Sequence, residues 1–286
     1  MPSEHRGWPF LDQVRNAIRV RHYSIRTEEA YLGWIKGFIL FHGERHPREM
    51  AEPEVSAFLT YLAVEGRVAA ATENQALNAL VFLYKVVLEC PLGEIEGVAR
   101  AKKPQRLPVV LTADEVRGLL RHLSGSAWLV ACLLYGSGLR LMEALRLRVK
   151  DLDFAHGAVL VRDGKGGKDR VVTLPDGVIA PLRQHLEHVR LLHDKDIADG
   201  FGAVVLPYAL ERKYPNAPRE WHWQYVFPSA NRSIDPRSGV ERRHHLHASS
   251  IQKAIRTAVR RAGVQKPASC HALRHYAACG ISGPPL

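Results

Sequence analysis

The sequence predicts a mainly α protein with one small β-hairpin, divided into two domains. Three observations carry this. Apolar residues recur at helical spacing through the first hundred residues, with no strand pattern between them. A basic stretch without periodicity follows, Ala101-Lys102-Lys103-Pro104-Gln105-Arg106-Leu107-Pro108, in which each proline biases its predecessor toward extended geometry. Beyond it, two short β-prone runs flank a glycine-rich turn, and the other periodic segments are again helical.

In chain order, Leu11, Val14 and Ile18 set the first amphipathic stripe, and Tyr31, Ile35, Phe38 and Ile39 the second. Pro53 opens a third helix that carries Phe58, Leu59 and Leu62. A fourth runs from Thr72 to Leu88 through Leu77, Leu80, Val81, Leu83, Tyr84 and Val87. This gives a four-helix domain over 1–100 and a linker over 101–110. The second domain, 111–286, opens on Thr112-Ala113-Asp114-Glu115, a capping box ahead of Val116, Leu119, Leu120 and Leu123. Within it, Ala158 to Arg162 and Arg170 to Leu174 form the hairpin around Asp163-Gly164-Lys165-Gly166-Gly167-Lys168-Asp169. Helices are expected at about 177–195 and 249–262, separated by a polar, aromatic-rich segment from Phe201 to Arg243.

Composition narrows the function. The 286 residues are 46% hydrophobic, enough for two packed cores. Lys+Arg 40 against Asp+Glu 29 leaves +11, a balance that favours a polyanionic partner through release of condensed counterions. Cys90, Cys132, Cys270 and Cys279 form no C-x-x-C pair, which points to free thiols in a reducing cytoplasm rather than a disulfide framework or zinc site. No signal core or membrane-length apolar run is present, so a cytoplasmic protein is expected.

Three short motifs carry chemistry. Gly138-Leu139-Arg140-Leu141-Met142-Glu143 places Arg140 just past a glycine break, one turn from Glu143. Lys165 occupies a glycine-flanked hairpin tip. His271-Ala272-Leu273-Arg274-His275 begins a helix with Ser269 as its cap, so His271 and Arg274 share a face. Singly each is commonplace: an arginine after glycine is ordinarily a helix-surface residue and a lysine in a glycine turn a solvated tip. Together they are what phosphoryl transfer needs. Arginine forks hold non-bridging oxygens, lysine protonates a leaving oxygen, and imidazole steers the nucleophile's proton.

In this order the motifs resemble those of the tyrosine recombinases, and the likeness spans nearly the whole chain. The resemblance implies an N-terminal helical, SAM-like core-binding domain that closes a clamp on DNA, followed by a tyrosine-recombinase catalytic domain. It implies Arg140, Lys165, His271 and Arg274 as catalytic residues, a covalent 3′-phosphotyrosyl intermediate, a homo-tetramer on DNA and no cofactor. Two long strings resemble one subfamily, the integron integrases. These are Leu206-Pro207-Tyr208-Ala209-Leu210-Glu211-Arg212-Lys213-Tyr214-Pro215-Asn216-Ala217, continued by Glu220-Trp221-His222-Trp223-Gln224-Tyr225-Val226-Phe227-Pro228, and Asp235-Pro236-Arg237-Ser238-Gly239-Val240 running into Arg242-Arg243-His244-His245-Leu246-His247. The insertion, at about 190–228, separates this chain from topoisomerases of type IB and from phage-type or chromosome-dimer recombinases.

The subfamily resemblance implies integration and excision of gene cassettes, on folded single-stranded cassette sites and a double-stranded primary site. Bases protruding from an imperfect duplex need flat aromatic or guanidinium surfaces. Arg212, Tyr214, Trp221, His222, Trp223 and Tyr225 supply these, although Trp223 and Phe227 would equally serve as the core of the insert, and Lys213 is expected to bind DNA beside them. Arg242, Arg243 and His244, with Lys102 and Lys103 of the linker, are expected to line phosphates. His244, His245 and His247 lack further ligands and stand beside two arginines, so no metal site is expected. The glycine-lysine run of the hairpin has neither the spacing nor the Ser/Thr of a nucleotide-binding loop.

One departure from the family pattern stands at the end of the chain. After the His-x-x-Arg helix the family places a second histidine and then the nucleophilic tyrosine, whereas here Tyr276-Ala277-Ala278-Cys279-Gly280-Ile281-Ser282-Gly283-Pro284-Pro285-Leu286 follows. Gly-Pro-Pro breaks a helix. Tyr276, two positions after Arg274, falls on roughly the opposite side of the same helix and is a poor nucleophile for the same phosphate. The expectation is a C-terminally truncated chain, through a frameshift, early stop or natural variation. Such a chain would be impaired in assembly, prone to aggregate, and at the limit a catalytically inactive DNA-binding remnant.

Overall fold

The computed structural model describes residues 8–93, 109–164, 168–207 and 210–278. Two compact units emerge, Met1–Arg106 and Leu107–Leu286.

The first unit is four helices, each started by a local signal. Pro9 supplies the fixed φ of the first turn of α1 (Pro9–Val20). Ser24 caps α2 (Ile25–Phe41), its hydroxyl accepting the Thr27 N–H at 3.1 Å. In α3 (Glu52–Val64) the Glu54 carboxylate accepts the Ala51 N–H at 2.9 Å. The fourth, α4 (Ala70–Phe82), is shorter than the apolar stripe predicts, because the chain widens into a π turn at Leu83–Val87. That turn buries Leu83, Tyr84 and Val87, and the Tyr84 hydroxyl donates to the Pro47 and Met50 carbonyls at 3.1 and 3.0 Å. Val14, Ile18, Ile35, Phe38, Leu59 and Leu80 complete the core, while Val81 faces outward.

The second unit is built around α6 (Gly125–Gly136), buried continuously from Leu129 to Tyr135. Before it, α5 (Ala113–Leu120) starts at the predicted capping box: Thr112 Oγ1 accepts the Glu115 N–H at 3.2 Å and Glu115 Oε2 the Thr112 N–H at 2.7 Å. After it comes the short α7 (Leu141–Leu145). The hairpin strands β2 (Ala158–Val161) and β3 (Arg170–Thr173) pair antiparallel, Val161 opposite Arg170. A further strand, β1 (Leu152–Asp153), extends the sheet in the order β1-β2-β3 and was not evident in the sequence, two residues being too few for an alternation pattern.

Beyond the sheet, α8 (Asp176–Ala198) is longer than expected at its C-terminal end. Its start is pressed against the end of α6 so closely that a Cβ on Gly136 would lie 2.3 Å from Pro175. The aromatic-rich segment holds the one-turn helix α9 (Leu210–Lys213), 3₁₀ turns at Ala217–Arg219 and Trp221–Trp223, and a hairpin of β4 (Ser233–Ile234) with β5 (Glu241–Arg242). Two helices, α10 (Ala248–Arg261) and α11 (Cys270–Ala278), finish the unit. Among the described residues no disulfide forms: Cys132 and Cys270 are buried thiols and Cys90 is exposed. No described helix is long and apolar enough to cross a membrane.

Candidate functional site

The site is organised by one carboxylate. Gly138, at φ +63, turns the chain after α6 so that Arg140 arrives as the N-cap of α7. Glu143, one helical turn on, accepts the Arg140 backbone N–H at 2.8 Å and its guanidinium at 2.7 Å. From β3, Arg170 adds a bidentate fork to the same carboxylate, at 3.1 and 2.7 Å. Burial by itself would raise the Glu143 pKa, but the hydrogen bonds from Arg170 and Arg140 prevail and hold it at about 2. Arg274 enters from α11, where its Nε donates to the Gly138 carbonyl at 2.9 Å. Burial and the nearby Arg140 and Arg170 lower its pKa, with Glu143 opposing them.

Three guanidinium groups therefore gather around one carboxylate that pairs directly with two of them, Arg140 and Arg170. The surplus of positive charge, on forks already oriented by Glu143 and Gly138, can accept an oxyanion such as a phosphodiester. His271 lies on the same helix as Arg274, exposed, its N–H donating to the Ser269 hydroxyl at 3.3 Å. Lys165 lies outside the described residues, but the roots of its hairpin loop adjoin the cluster: Gly164 N–H donates to the Lys168 carbonyl at 3.1 Å, and a Cβ on Gly164 would lie 3.7 Å from Glu143 Oε1. Lys102 and Lys103 of the linker also lie outside the described residues.

A cleft of about 570 Å³ leads from Arg140 and Glu143 to the insertion. Its walls combine cations (Arg146, Arg148, Lys150, Arg162) with flat rings (Trp223, Tyr225). Arg148 stitches the far wall together by donating to the Trp223 carbonyl at 2.6 Å and the Val205 carbonyl at 2.7 Å, and its guanidinium lies 4.5 Å from the Tyr225 ring centre. The Lys150 ammonium lies over the Trp223 ring. Desolvation, with Arg162 and Arg148 adding repulsion, brings its pKa down to about 8. Also lining the cleft, His244 and His245 lie in tilted contact with ring centres 4.1 Å apart, and both contact Tyr225. Burial holds the His245 pKa at about 4, and desolvation also lowers that of His244. Both are therefore neutral imidazoles near pH 7, flat rings rather than cations.

The structure separates the aromatic and basic candidates of the insertion. Trp223 and His244 line the cleft. Trp221 instead packs on α8, its ring 5.0 Å from the Arg190 guanidinium and 6.0 Å from His193. His222 is exposed and pairs with Glu220 at 3.1 Å. Arg212, Lys213 and Tyr214 stand exposed on and just beyond α9. Arg242 and Arg243 face inward: Arg242 grips Glu211 and the Val204 carbonyl, and Arg243 holds Asp196 and the carbonyls of Ser229 and Ala230. Sequence reasoning missed Arg170, Arg148 and Lys150. The one available signal was the position of Arg170 directly after the hairpin loop. Among the described residues no cluster of His, Cys, Asp or Glu is arranged to hold a metal ion.

A helical unit is followed in the chain by a mixed unit that concentrates arginines at the roots of a hairpin, an arrangement suited to a phosphate-like anion. Residues 10–94 match the phage integrase N-terminal SAM-like domain, and residues 109–281 match the phage integrase family. The chain belongs to the phage integrase family of tyrosine recombinases, which carry out site-specific recombination of DNA by breaking and rejoining strands. It is 50% identical over 271 residues to an integrase/recombinase of Escherichia coli, covering 95% of this chain and 80% of that protein. Identity and coverage are the same for an integrase/recombinase of Pseudomonas aeruginosa. The fold is similar to that of lambda integrase in a tetramer bound to a Holliday junction, with TM-score 0.56 and 16% identity over 94% of this chain and 68% of that one.

Proposed function

We propose that the chain is an integron-type recombinase that integrates and excises gene cassettes through a 3′-phosphotyrosyl intermediate. The observation that carries this reading is the cleft joining the arginine cluster to Trp223, Tyr225 and the tilted His244–His245 pair. Rings and guanidinium planes beside a phosphate site suit a base that protrudes from a folded single strand. Arg140 and Arg274 hold the non-bridging oxygens of the scissile phosphate. Glu143 sets their geometry, and Arg170 contributes charge beside them. Lys165 delivers a proton to the leaving 5′ oxygen, and His271 steers the proton of the attacking hydroxyl.

The exchange of a phosphodiester for a phosphotyrosyl ester conserves one P–O bond for another, so the chemistry asks for no metal or nucleotide cofactor. Arg212, Lys213, Tyr214 and His222 extend the nucleic-acid surface outward from the cleft, and Lys102 and Lys103 contact backbone phosphates. In the working assembly four copies bring two sites together in the cytoplasm. A second reading, a DNA-binding protein that occupies sites without covalent attachment, is favoured by the place of Tyr276, which follows Arg274 by only two positions on α11.

The test compares a bottom-strand cassette hairpin with the same hairpin lacking its protruding bases, by gel shift and on a denaturing gel. The intact hairpin is expected to bind about tenfold tighter or better, and Trp223→Ala to remove that preference. Equal affinity for both hairpins would sink the cassette-site reading. A covalent adduct from residues 1–286 that disappears with Tyr276→Phe would overturn the expectation for Tyr276.

A further inference from the structure

Among the described residues, the cleft beside the arginine cluster holds one primary amine in the midst of guanidinium groups. This is Lys150, on the 3₁₀ turn Val149–Asp151. The turn packs against Trp221–Trp223, where the Val149 N–H donates to the Gln224 carbonyl at 3.0 Å. Arg140 and Arg162 each meet a carboxylate, Glu143 and Asp151 respectively. The Lys150 ammonium has no ion-pair partner among the described residues and lies over the Trp223 ring, with the Arg148 guanidinium 5.7 Å from the centre of that same ring. Desolvation, with repulsion from Arg162 and Arg148 and against the pull of Asp151, brings its pKa down to about 8. An amine outside an ion pair and partly unprotonated near neutral pH is a nucleophile.

We propose that Lys150 is a modification site, at which a small acyl phosphate transfers its acyl group to the side-chain amine while neighbouring guanidinium groups hold the phosphate. The inference goes beyond strand exchange and does not depend on which nucleic acid the cleft receives. Arg146 lines the cleft, is exposed and has no ion-pair partner among the described residues, so its fork is open to an anion. Arg162 reaches the same space from the end of β2, oriented by its Nε on Asp151 at 2.9 Å. The volume of about 570 Å³ is that of a small-molecule site. An acyl phosphate carries its reactive carbonyl one bridging oxygen from phosphorus. A phosphate seated on Arg146 and Arg162 therefore presents that carbonyl within the cleft that Lys150 lines.

In the step, the lone pair of the Lys150 nitrogen attacks the acyl carbon and an N–C bond forms. The C–O bond to phosphate breaks, and its electron pair leaves on inorganic phosphate. The proton shed by the nitrogen passes to water. Guanidinium forks favour this direction, because the leaving phosphate gains negative charge as the bond breaks. An acyl donor without a phosphate gains nothing from them. The product is a neutral amide beside Trp223, and the cleft keeps one positive charge fewer.

The experiment incubates the full chain with acetyl phosphate over a range of pH around 8 and follows acetylation of each lysine by peptide mass spectrometry. Lys36 and Lys253, both exposed, serve as references. Lys150 is expected to react about tenfold faster than either or better, because each unit of lowered pKa raises the free-amine fraction about tenfold. Its rate should level off above about pH 8 while the references keep rising. Inorganic phosphate should slow Lys150 and leave the references unchanged. N-hydroxysuccinimidyl acetate, which has no phosphate, should show a smaller preference, and Arg146→Gln should reduce the acetyl phosphate preference to that same level. A thermal melt of Arg146→Gln is expected to match the parent, since the side chain is exposed. Equal labelling of Lys150 and the references, or a preference that neither inorganic phosphate nor Arg146→Gln moves, would overturn the proposal. Neither outcome touches the recombinase reading, which the cassette hairpins test without any acyl donor.

Discussion

At the scale of single residues, Glu143 decides whether the arginines are usable. Its side chain is 9% exposed and meets two guanidinium groups and a backbone N–H. Removing it leaves like charges facing one another in a desolvated place. Glu143→Ala is therefore expected to cost about 3–5 kcal/mol, as for a broken buried ion pair, read from the urea midpoint. Glu143→Gln keeps the acceptor and should cost less, yet still lower affinity for a phosphodiester by misplacing Arg140. An unchanged midpoint for Glu143→Ala would show that Arg140, Arg170 and Arg274 do not need their shared counter-charge. Glu143 was legible as the neighbour of Arg140 because three positions bring residues onto one helix face. Its partner Arg170, 27 residues away, was not, because only the hairpin brings it back.

At the scale of elements, the insertion is held to α8 by Asp196. That carboxylate is 3% exposed and accepts from Arg243 at 2.5 and 2.8 Å and from Arg232 at 3.2 Å, tying the helix to the β4–β5 hairpin. Burial would raise its pKa, and the two arginines hold it below the usual carboxylate range. Asp196→Ala is expected to destabilise by about 3–5 kcal/mol. Faster hydrogen exchange should appear in residues 229–245, with α5 and α6 still protected. Uniform loss of protection across the second unit would mean that the insertion is not a separable layer. The hairpin, the capping box and the His271 helix were readable in advance because turn glycines and side-chain caps act within a few residues. The inward roles of Arg242 and Arg243 were not. A run of basic residues looks the same in sequence whether it meets phosphate or a carboxylate 47 positions earlier.

At the scale of the whole molecule, acid should unfold the second unit in two stages. His245 has a folded pKa of about 4 against an ordinary 6.5, lowered by burial and by His244 and Arg146. A depressed histidine keeps its proton off when folded, so its contribution is complete above 6.5 and is lost as pH falls toward about 4. Glu143 has a folded pKa of about 2 against 4.5. Its contribution is complete above the unfolded value and disappears between about 4.5 and 2. Each shift corresponds to about 3 kcal/mol at full effect. The urea midpoint is expected to fall first below pH 6.5 and again below 4.5, and His245→Phe should lessen the first fall, to which His185, His193 and His244 also contribute, and leave the second unchanged. A midpoint independent of pH from 7 to 4 would contradict the burial of His245.

The sequence by itself determined the two-unit helical plan, the hairpin, the basic balance and the order in which arginine, lysine and histidine motifs follow one another. All of these rest on interactions within a turn or two of chain, or on composition, which need no fold to be read. Tertiary structure alone decided which cations line the cleft and which turn to protein acceptors. It turned Arg242 and Arg243 toward protein acceptors, laid Trp221 against α8, and brought Arg170 and Arg274 to the Glu143 corner. The physical reason is that a long cationic side chain takes whichever partner the fold sets within its reach, and that partner is fixed by packing across tens of residues.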